Sequence, residues 1–350
     1  MDLTRYLSEL EGQYRIFDVG RRIRKLDKSQ FQHFESLDIP YPFPYLQHAW
    51  LALFITQANT SKKQLGNETL WFLKWPLDEQ GKLVPYVRDD LVGRLMALEQ
   101  QTLSDDTEME DPLKDNPFSF NPDDVRRANL HAILQFQMHR KPSEHYQGVL
   151  NFLQAGALNP QVLSNWQHLG LQGISDVAAR HEKHSLSLKH CLPKLPAEVY
   201  LAFSQCLEHH TLPHDVTLVI KARFEHDLAQ PNNVIAVEAG MRLLGTCISD
   251  ELRIDTWQQW LKSDYNHQMA AVLTFATRNY DDLAFIPEQI SDFLVILANL
   301  NGNFNSFIKI VGDLLFIPGT RNLLLQALRD PNRPEILAQA LQALMDDKQS

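Results

Sequence analysis

The chain has 350 residues, more than one ordinary hydrophobic core accommodates, so its length predicts two domains. Its residues are 44% hydrophobic and 22% charged, which is the composition of a soluble globular protein. A formal net charge of −10 gives no support to long-range attraction toward nucleic acid or anionic lipid, so nucleic acid is disfavoured as a partner.

The chain carries no sequence signal for a membrane or a secretion pathway. Its longest apolar runs, residues 50–55 and 293–300, fall far short of the ~20 residues that span a bilayer. The N-terminal stretch MDLTRYLSELEG contains acidic residues and lacks the apolar region of a signal peptide. Three cysteines (Cys191, Cys206 and Cys247) fit a reducing compartment without a disulfide framework. We therefore expect a cytoplasmic protein with no membrane partner.

The first hundred residues mix helical and extended patterns. Residues 2–11 place apolar side chains on one helical face, residues 13–25 are rich in strand formers, and residues 31–37 permit a brief helix. The proline-rich stretch 39–44 must be an extended loop, because each proline removes an amide donor and disfavours helix before it.

Three strand-like runs follow, at residues 50–57, 69–75 and 82–87. The third run comes after a predicted hairpin turn that ends in Gly81. Residues 89–101 then return to helical periodicity. Residues 1–103 are therefore predicted to form a small α+β domain built on an antiparallel meander.

Residues 104–124 are predicted to form an acidic linker or loop. The segment holds eight acidic residues, one basic residue and three prolines, with few aliphatic side chains. Phe118 and Phe120 are the side chains that would attach it to a neighbouring element.

Beyond the linker, the apolar periodicity is helical nearly everywhere, and from about Pro196 it restarts every 15 to 21 residues. The predicted restarts fall near Pro196, Pro213, Asn232, Asp250, Asn266, Pro287, Asn303, Pro318 and Pro334. Two starts span about 31 to 37 residues, the length of one helix hairpin in an α-solenoid. Residues 125–350 are therefore predicted to form an all-α, HEAT-like helical repeat. An irregular globular helical bundle would show the same periodicity and is the alternative.

The motifs of the commonest enzymes are absent: no phosphate-binding loop, no dinucleotide fingerprint and no nucleophile elbow occur. No catalytic residue and no cofactor is therefore assigned. Residues 181–214 hold six of the fourteen histidines, and Cys206, His209 and His210 have a spacing that could face a metal ion. Cys206 also continues an apolar stripe, and the two histidines end a helix whose dipole favours cations. No metal site is assigned, and the question stays open.

The dense basic cluster is the candidate site for an anion or an acidic partner segment. It consists of Arg21, Arg22, Arg24 and Lys25, and Lys28 follows it. The acidic residues 104–124 are an internal candidate for that partner. A solvated edge strand protected by charge is the competing interpretation. Asp18, together with Arg88, Asp89 and Asp90, could build a polar cleft if burial separates the pKa values of the carboxyl groups.

Three segments carry a resemblance to a known family: IFDVGRR at residues 16–22, the loop 39–44, and LWFLKWPLDEQG at residues 70–81. They resemble a family of uncharacterised gammaproteobacterial proteins of similar length, so the match would cover nearly the whole chain. The resemblance implies a bacterial, cytoplasmic protein and transfers no catalytic residues.

These observations favour a non-enzymatic binding or adaptor protein that presents a helical-repeat surface to an unidentified protein partner. One alternative is an enzyme with a polar site in the first domain. The other is binding of nucleic acid or another anion through residues 21–28.

Overall fold

A computed structural model describes residues 2–9, 12–57, 68–104, 113 and 115–347. The chain divides into two compact units, Met1–Pro122 and Asp123–Ser350. Most of the acidic stretch predicted as a linker, residues 105–112 and 114, lies outside the described residues.

The first unit contains a four-stranded antiparallel sheet. Its strands are β1 (Gly12–Asp18), β2 (Arg24–Lys25), β3 (His48–Gln57) and β4 (Glu68–Pro76), in the order β2-β1-β3-β4. The strands do not follow one another across the sheet, so the predicted meander is wrong. The turn after β1 folds β2 back onto one side of β1, and the later strand β3 takes the other side.

Three helices complete the first unit: α1 (Leu3–Glu9), α2 (Lys28–Glu35) and α3 (Pro85–Ser104). The predicted strand at residues 82–87 is wrong, because only an isolated bridge joins Leu83 to Leu77 and α3 begins two residues later. A proline without an amide hydrogen fits the first helical turn, where that hydrogen would have no partner.

The end of the acidic segment runs beside β4. The Lys74 amide donates to the Phe118 carbonyl at 2.7 Å, and the Phe120 amide donates to the Phe72 carbonyl at 3.1 Å. The Phe120 ring lies 4.8 Å from the ring of Trp50. Residues 118–120 are therefore attached to the sheet by backbone and aromatic contacts.

The described part of the second unit contains thirteen α-helices and no strand. They are α4 (Asp124–Gln137), α5 (Tyr146–Leu158), α6 (Leu171–Ala178), α7 (Ser185–Cys191), α8 (Ala197–Leu207), α9 (His214–Leu228), α10 (Val234–Leu244), α11 (Asp250–Leu261), α12 (Met269–Arg278), α13 (Ile290–Asn299), α14 (Asn305–Leu314), α15 (Pro318–Arg329) and α16 (Glu335–Asp347). Nine of these begin within three residues of a predicted restart, so the predicted helical character and the predicted helix starts are confirmed.

The helices of the second unit contact near neighbours in the chain. An alternate series runs from α4 through α6, α8, α10, α12 and α14 to α16, and each member touches the next. Among the remaining helices, α5 touches α7 and α7 touches α9. A core of buried apolar side chains continues from Val149 in α5 to Leu344 in α16. In the part of the chain that the structure describes, no helix combines the length and apolar character needed to cross a bilayer.

Candidate functional site

The turn between β1 and β2 holds a buried carboxyl group. Asp18 ends β1 with 1% of its surface exposed, and the Tyr41 hydroxyl donates a 2.8 Å hydrogen bond to its Oδ1. Burial raises the pKa of Asp18 to about 7, although the hydrogen bond from Tyr41 and the charge of Arg24 lower it in part. Protonated and ionised forms of this side chain therefore coexist near neutral pH.

Two of the predicted site arginines contact the proline-rich loop. Arg21 is buried, its Nε donates to the Pro44 carbonyl at 3.0 Å, and its guanidinium lies 5.1 Å from the centre of the Tyr45 ring. The Arg24 guanidinium lies 4.7 Å from the centre of the Phe43 ring. These contacts join the loop to the β1–β2 turn, and they engage both guanidinium groups within the unit.

The other two predicted site residues differ in exposure: Arg22 is half-buried and Lys25 is exposed. Residues 20–22 bend after β1, and β2 contains only Arg24 and Lys25, so the four residues do not lie on one strand. The four basic residues therefore do not form one surface, and the exposed charge of the cluster begins at Lys25.

An open groove of about 700 Å³ lies beside β1, between residues 13–16 and residues 25–28. Tyr14, Ile16 and Leu26 are buried and supply its apolar part, whereas Arg15 is half-buried and Lys25 is exposed. The Lys28 ammonium, also on the groove, lies 3.8 Å from the centre of the Tyr14 ring. Arg15 was not among the predicted site residues, although its place between two buried strand residues indicates a side chain on the opposite face of the sheet.

Part of β1 is an open sheet edge. The Val19 amide donates to the Trp50 carbonyl on β3, and the Leu26 amide donates to the Ile16 carbonyl from the β2 side. Backbone groups alternate in direction along an antiparallel strand, so Tyr14 directs its amide and carbonyl to the β2 side as Ile16 does. β2 pairs only with Phe17 and Asp18, and in the described residues no strand covers Tyr14 on that side.

The polar side chains at the start of α3, which were predicted to form a cleft with Asp18, pair with other groups. Arg88 pairs with Asp2 at 3.2 Å and with Asp89 at 2.7 Å, and its Nη1 donates to the Glu35 carbonyl at 2.8 Å. Asp90 pairs with Arg94 one turn later at 2.9 Å. These side chains form ion pairs among themselves, while Asp18 is held by Tyr41.

The histidine- and cysteine-rich window of the second unit is built into helix packing. His181 places Nδ1 against the Ala178 carbonyl and Nε2 against the Thr211 carbonyl, both at 3.0 Å. Cys206 is fully buried beside Ser175, and burial raises the pKa of its thiol to about 12. Within the described residues, no group of three or more His, Cys, Asp and Glu side chains is placed to share a metal ion.

His210 does not serve the helix end as a cation. Burial, together with the smaller effects of the neighbouring His209 and His181, lowers its pKa to about 3. The ring is therefore uncharged at neutral pH, and the expected favourable interaction of a charged His210 with the α8 dipole is wrong. Its ring lies 5.1 Å from that of His181.

A buried ionic network joins three members of the alternate helix series. Glu208, directly after α8, is 3% exposed and accepts from Arg242 Nη1 of α10 at 2.8 Å and from Arg278 Nε of α12 at 3.1 Å. Arg242 also pairs with Glu238 at 2.9 Å. The partners are 34 and 70 residues apart in the chain, so local sequence patterns contain no signal for the network.

The chain therefore has two parts, a small α+β unit followed by a helical unit. The chain belongs to the family described as "Protein of unknown function (DUF3549)", whose model matches residues 1–345 and so takes in both units. No curated protein and no solved structure matches the chain.

Proposed function

We propose that this protein is a non-enzymatic binding or adaptor protein whose second unit is a HEAT-like α-solenoid that presents a row of helices to a protein partner. The observation that carries the proposal is the alternate series from α4 to α16, in which each helix touches the next. Successive hairpins that lean on their neighbours leave an extended surface, and such surfaces usually bind other proteins. The continuous core from Val149 to Leu344 fits the same arrangement.

The roles of the reactive side chains support binding over catalysis. A catalytic acid or base must come within hydrogen-bond reach of its substrate. Asp18, whose raised pKa favours an enzyme site in the first unit, is only 1% exposed. The thiol of Cys206 is buried, and both ring nitrogens of His181 face backbone carbonyls. These groups contact the protein's own interior.

The origin and location of the protein belong to the same proposal. Its resemblance to gammaproteobacterial proteins supports a bacterial origin, and its three buried free cysteines suit a reducing compartment such as the cytoplasm.

Site-specific photo-crosslinking in the cell that produces the protein tests the proposal. A benzophenone amino acid would replace Leu273 on α12, in the alternate series, or Leu218 on α9, outside it; these side chains are 41% and 49% exposed. Tyr86 of the first unit, 59% exposed, gives a control position. A helical binding surface is expected to give one discrete adduct from only one of the two helix positions, either the one in the alternate series or the one outside it. The same adducts at all three positions, or none at either helix, would overturn the proposal.

A further inference from the structure

We propose that the groove beside β1 binds an acidic peptide segment of a partner protein, which lies extended along the open edge of the strand. This inference adds a contact in the first unit to the proposed binding function. It does not depend on the helical unit, so the two proposals can fail separately.

The backbone of β1 provides the first part of the argument. Tyr14 directs an amide and a carbonyl to the side where β2 has already ended, because β2 pairs only with Phe17 and Asp18. An open edge with free donors and acceptors is a template for an added strand. The side chain of Tyr14 is 6% exposed, so the edge is held in place by the core.

Charge supplies the second part. Arg15, Lys25 and Lys28 all border the groove, and within the described residues none of them forms an ion pair with a carboxylate. Arg15 and Lys25 lie on one face of the sheet, since Lys25 pairs with Phe17, two residues after Arg15. An acidic residue on that face of an added strand would therefore meet two cations.

The acidic side chain that borders the groove already has a structural role. This side chain is Asp27, whose Oδ1 accepts the amides of Ser29 and Gln30 and so caps α2. The groove is bordered by three cations and one carboxylate, so it keeps an excess of positive charge. An extended peptide with alternating acidic and apolar residues fits the groove, because its backbone can pair with the open edge and its acidic side chains can meet the cations.

The test measures binding of a fluorescein-labelled octapeptide of alternating glutamate and valine to the full chain by fluorescence anisotropy. The groove variant carries Arg15→Gln and Lys25→Gln. The control variant carries Arg5→Gln and Lys82→Gln, which removes the same charge from the same unit. Loss of two ionic contacts is expected to weaken binding about tenfold in the groove variant, whereas the control changes little. Added salt is expected to weaken binding to the wild type.

A second peptide, N-methylated at the valine amides, separates strand pairing from charge attraction alone, because those amides face β1 when the glutamates lie on the face of Arg15 and Lys25. It keeps the charges but cannot donate hydrogen bonds to the edge of β1, so it is expected to bind at least about tenfold more weakly. Circular dichroism establishes that each variant is folded. Equal binding by the groove and control variants, or by the two peptides, would overturn the proposal. Dimerisation of the chain that the groove variant abolishes would assign the edge to a second copy and would overturn it as well.

Discussion

The carboxylate of Glu208 and the guanidinium of Arg242 meet at 2.8 Å, and their side chains are only 3% and 14% exposed. The pair joins the end of α8 to α10, and Arg278 of α12 shares the same carboxylate at 3.1 Å. Removing one partner from a buried ion pair leaves the other charge without compensation, and this costs more than the intact pair contributes to stability.

The first prediction concerns Glu208→Gln. The substitution keeps the shape of the side chain and removes the charge that two arginines share, so it is expected to lower the free energy of unfolding by about 3–5 kcal/mol. Urea unfolding followed by the fluorescence of the buried Trp257 and Trp260 measures the loss. Glu198→Gln makes the same chemical change on the exposed first turn of α8, with an expected cost below about 1 kcal/mol. Similar losses in both variants would contradict this role of the network.

The second prediction follows from Asp18. Its pKa in the folded chain, about 7, lies above the ordinary value of 3.8, so between these pH values the folded chain retains a proton that the unfolded chain releases. Stability of the first unit is therefore expected to fall as pH rises from about 4 to about 7, by at most about 1.4 kcal/mol per pH unit. Asp18→Asn stays neutral and can still accept from Tyr41, so its stability is expected to fall less steeply than that of the wild type, with a remaining slope from Glu35, whose pKa burial also raises.

Hydrogen exchange of the β1 and β3 amides, corrected for the intrinsic effect of pH on exchange, checks this prediction within the first unit. Wild-type and Asp18→Asn chains that lose protection in parallel from pH 4 to pH 7 would show that the carboxyl group is not the cause.

The third prediction concerns the close approach of α6 to the start of α5. A Cβ atom added at Gly173 would lie 2.6 Å from the His145 carbonyl oxygen and 2.8 Å from Cγ2 of Val149. Gly173→Ala must therefore push the two helices apart, with an expected loss of about 1–3 kcal/mol. Gly148→Ala, in α5, meets no atom within 4 Å and is expected to gain about 0.5–1 kcal/mol from helix propensity. Urea midpoints compare the two variants, and a gain at Gly173 would refute the packing argument.

The fourth prediction concerns His210. Its pKa falls from 6.5 to about 3 on folding, so below pH 6.5 the unfolded chain takes up a proton that the folded chain does not. This side chain is therefore expected to reduce the stability of the second unit as pH falls from about 6.5 toward about 3. His210→Phe is expected to flatten the dependence, and His226→Phe, at an exposed position, is the control. Urea unfolding at several pH values between 4 and 7 measures the slopes; equal slopes for both variants would exclude His210 as the source.

The helices of the second unit could be predicted because their signals are local. Ser249 accepts the Leu252 amide at the start of α11, and Pro196 and Pro213 precede α8 and α9 directly. Caps of this kind act within one turn of helix, so residue order alone locates them. The burial of the apolar stripe that includes Cys206 could also be predicted, because the spacing of its members along the helix is a local signal.

The sheet and the candidate site depend on distant contacts, and these were harder to predict. β2 has two residues, and the turn before it is held against the proline-rich loop by hydrogen bonds from Arg21 to Pro44 and from Tyr41 to Asp18. The basic cluster was visible in the sequence, but its residues make different contacts. Arg21 and Arg24 contact the proline-rich loop and the ring of Phe43, whereas Lys25 borders the groove. Periodicity contains no information about which strand edge remains open.

The three cysteines have a practical consequence for spectroscopy. All of them are buried, and burial raises the pKa values of Cys191 and Cys206 to about 11 and about 12. Alkylating reagents attack the exposed thiolate, so the native thiols should be protected while the chain is folded. A fluorophore or spin label could then be attached at one engineered surface cysteine without first replacing the native ones.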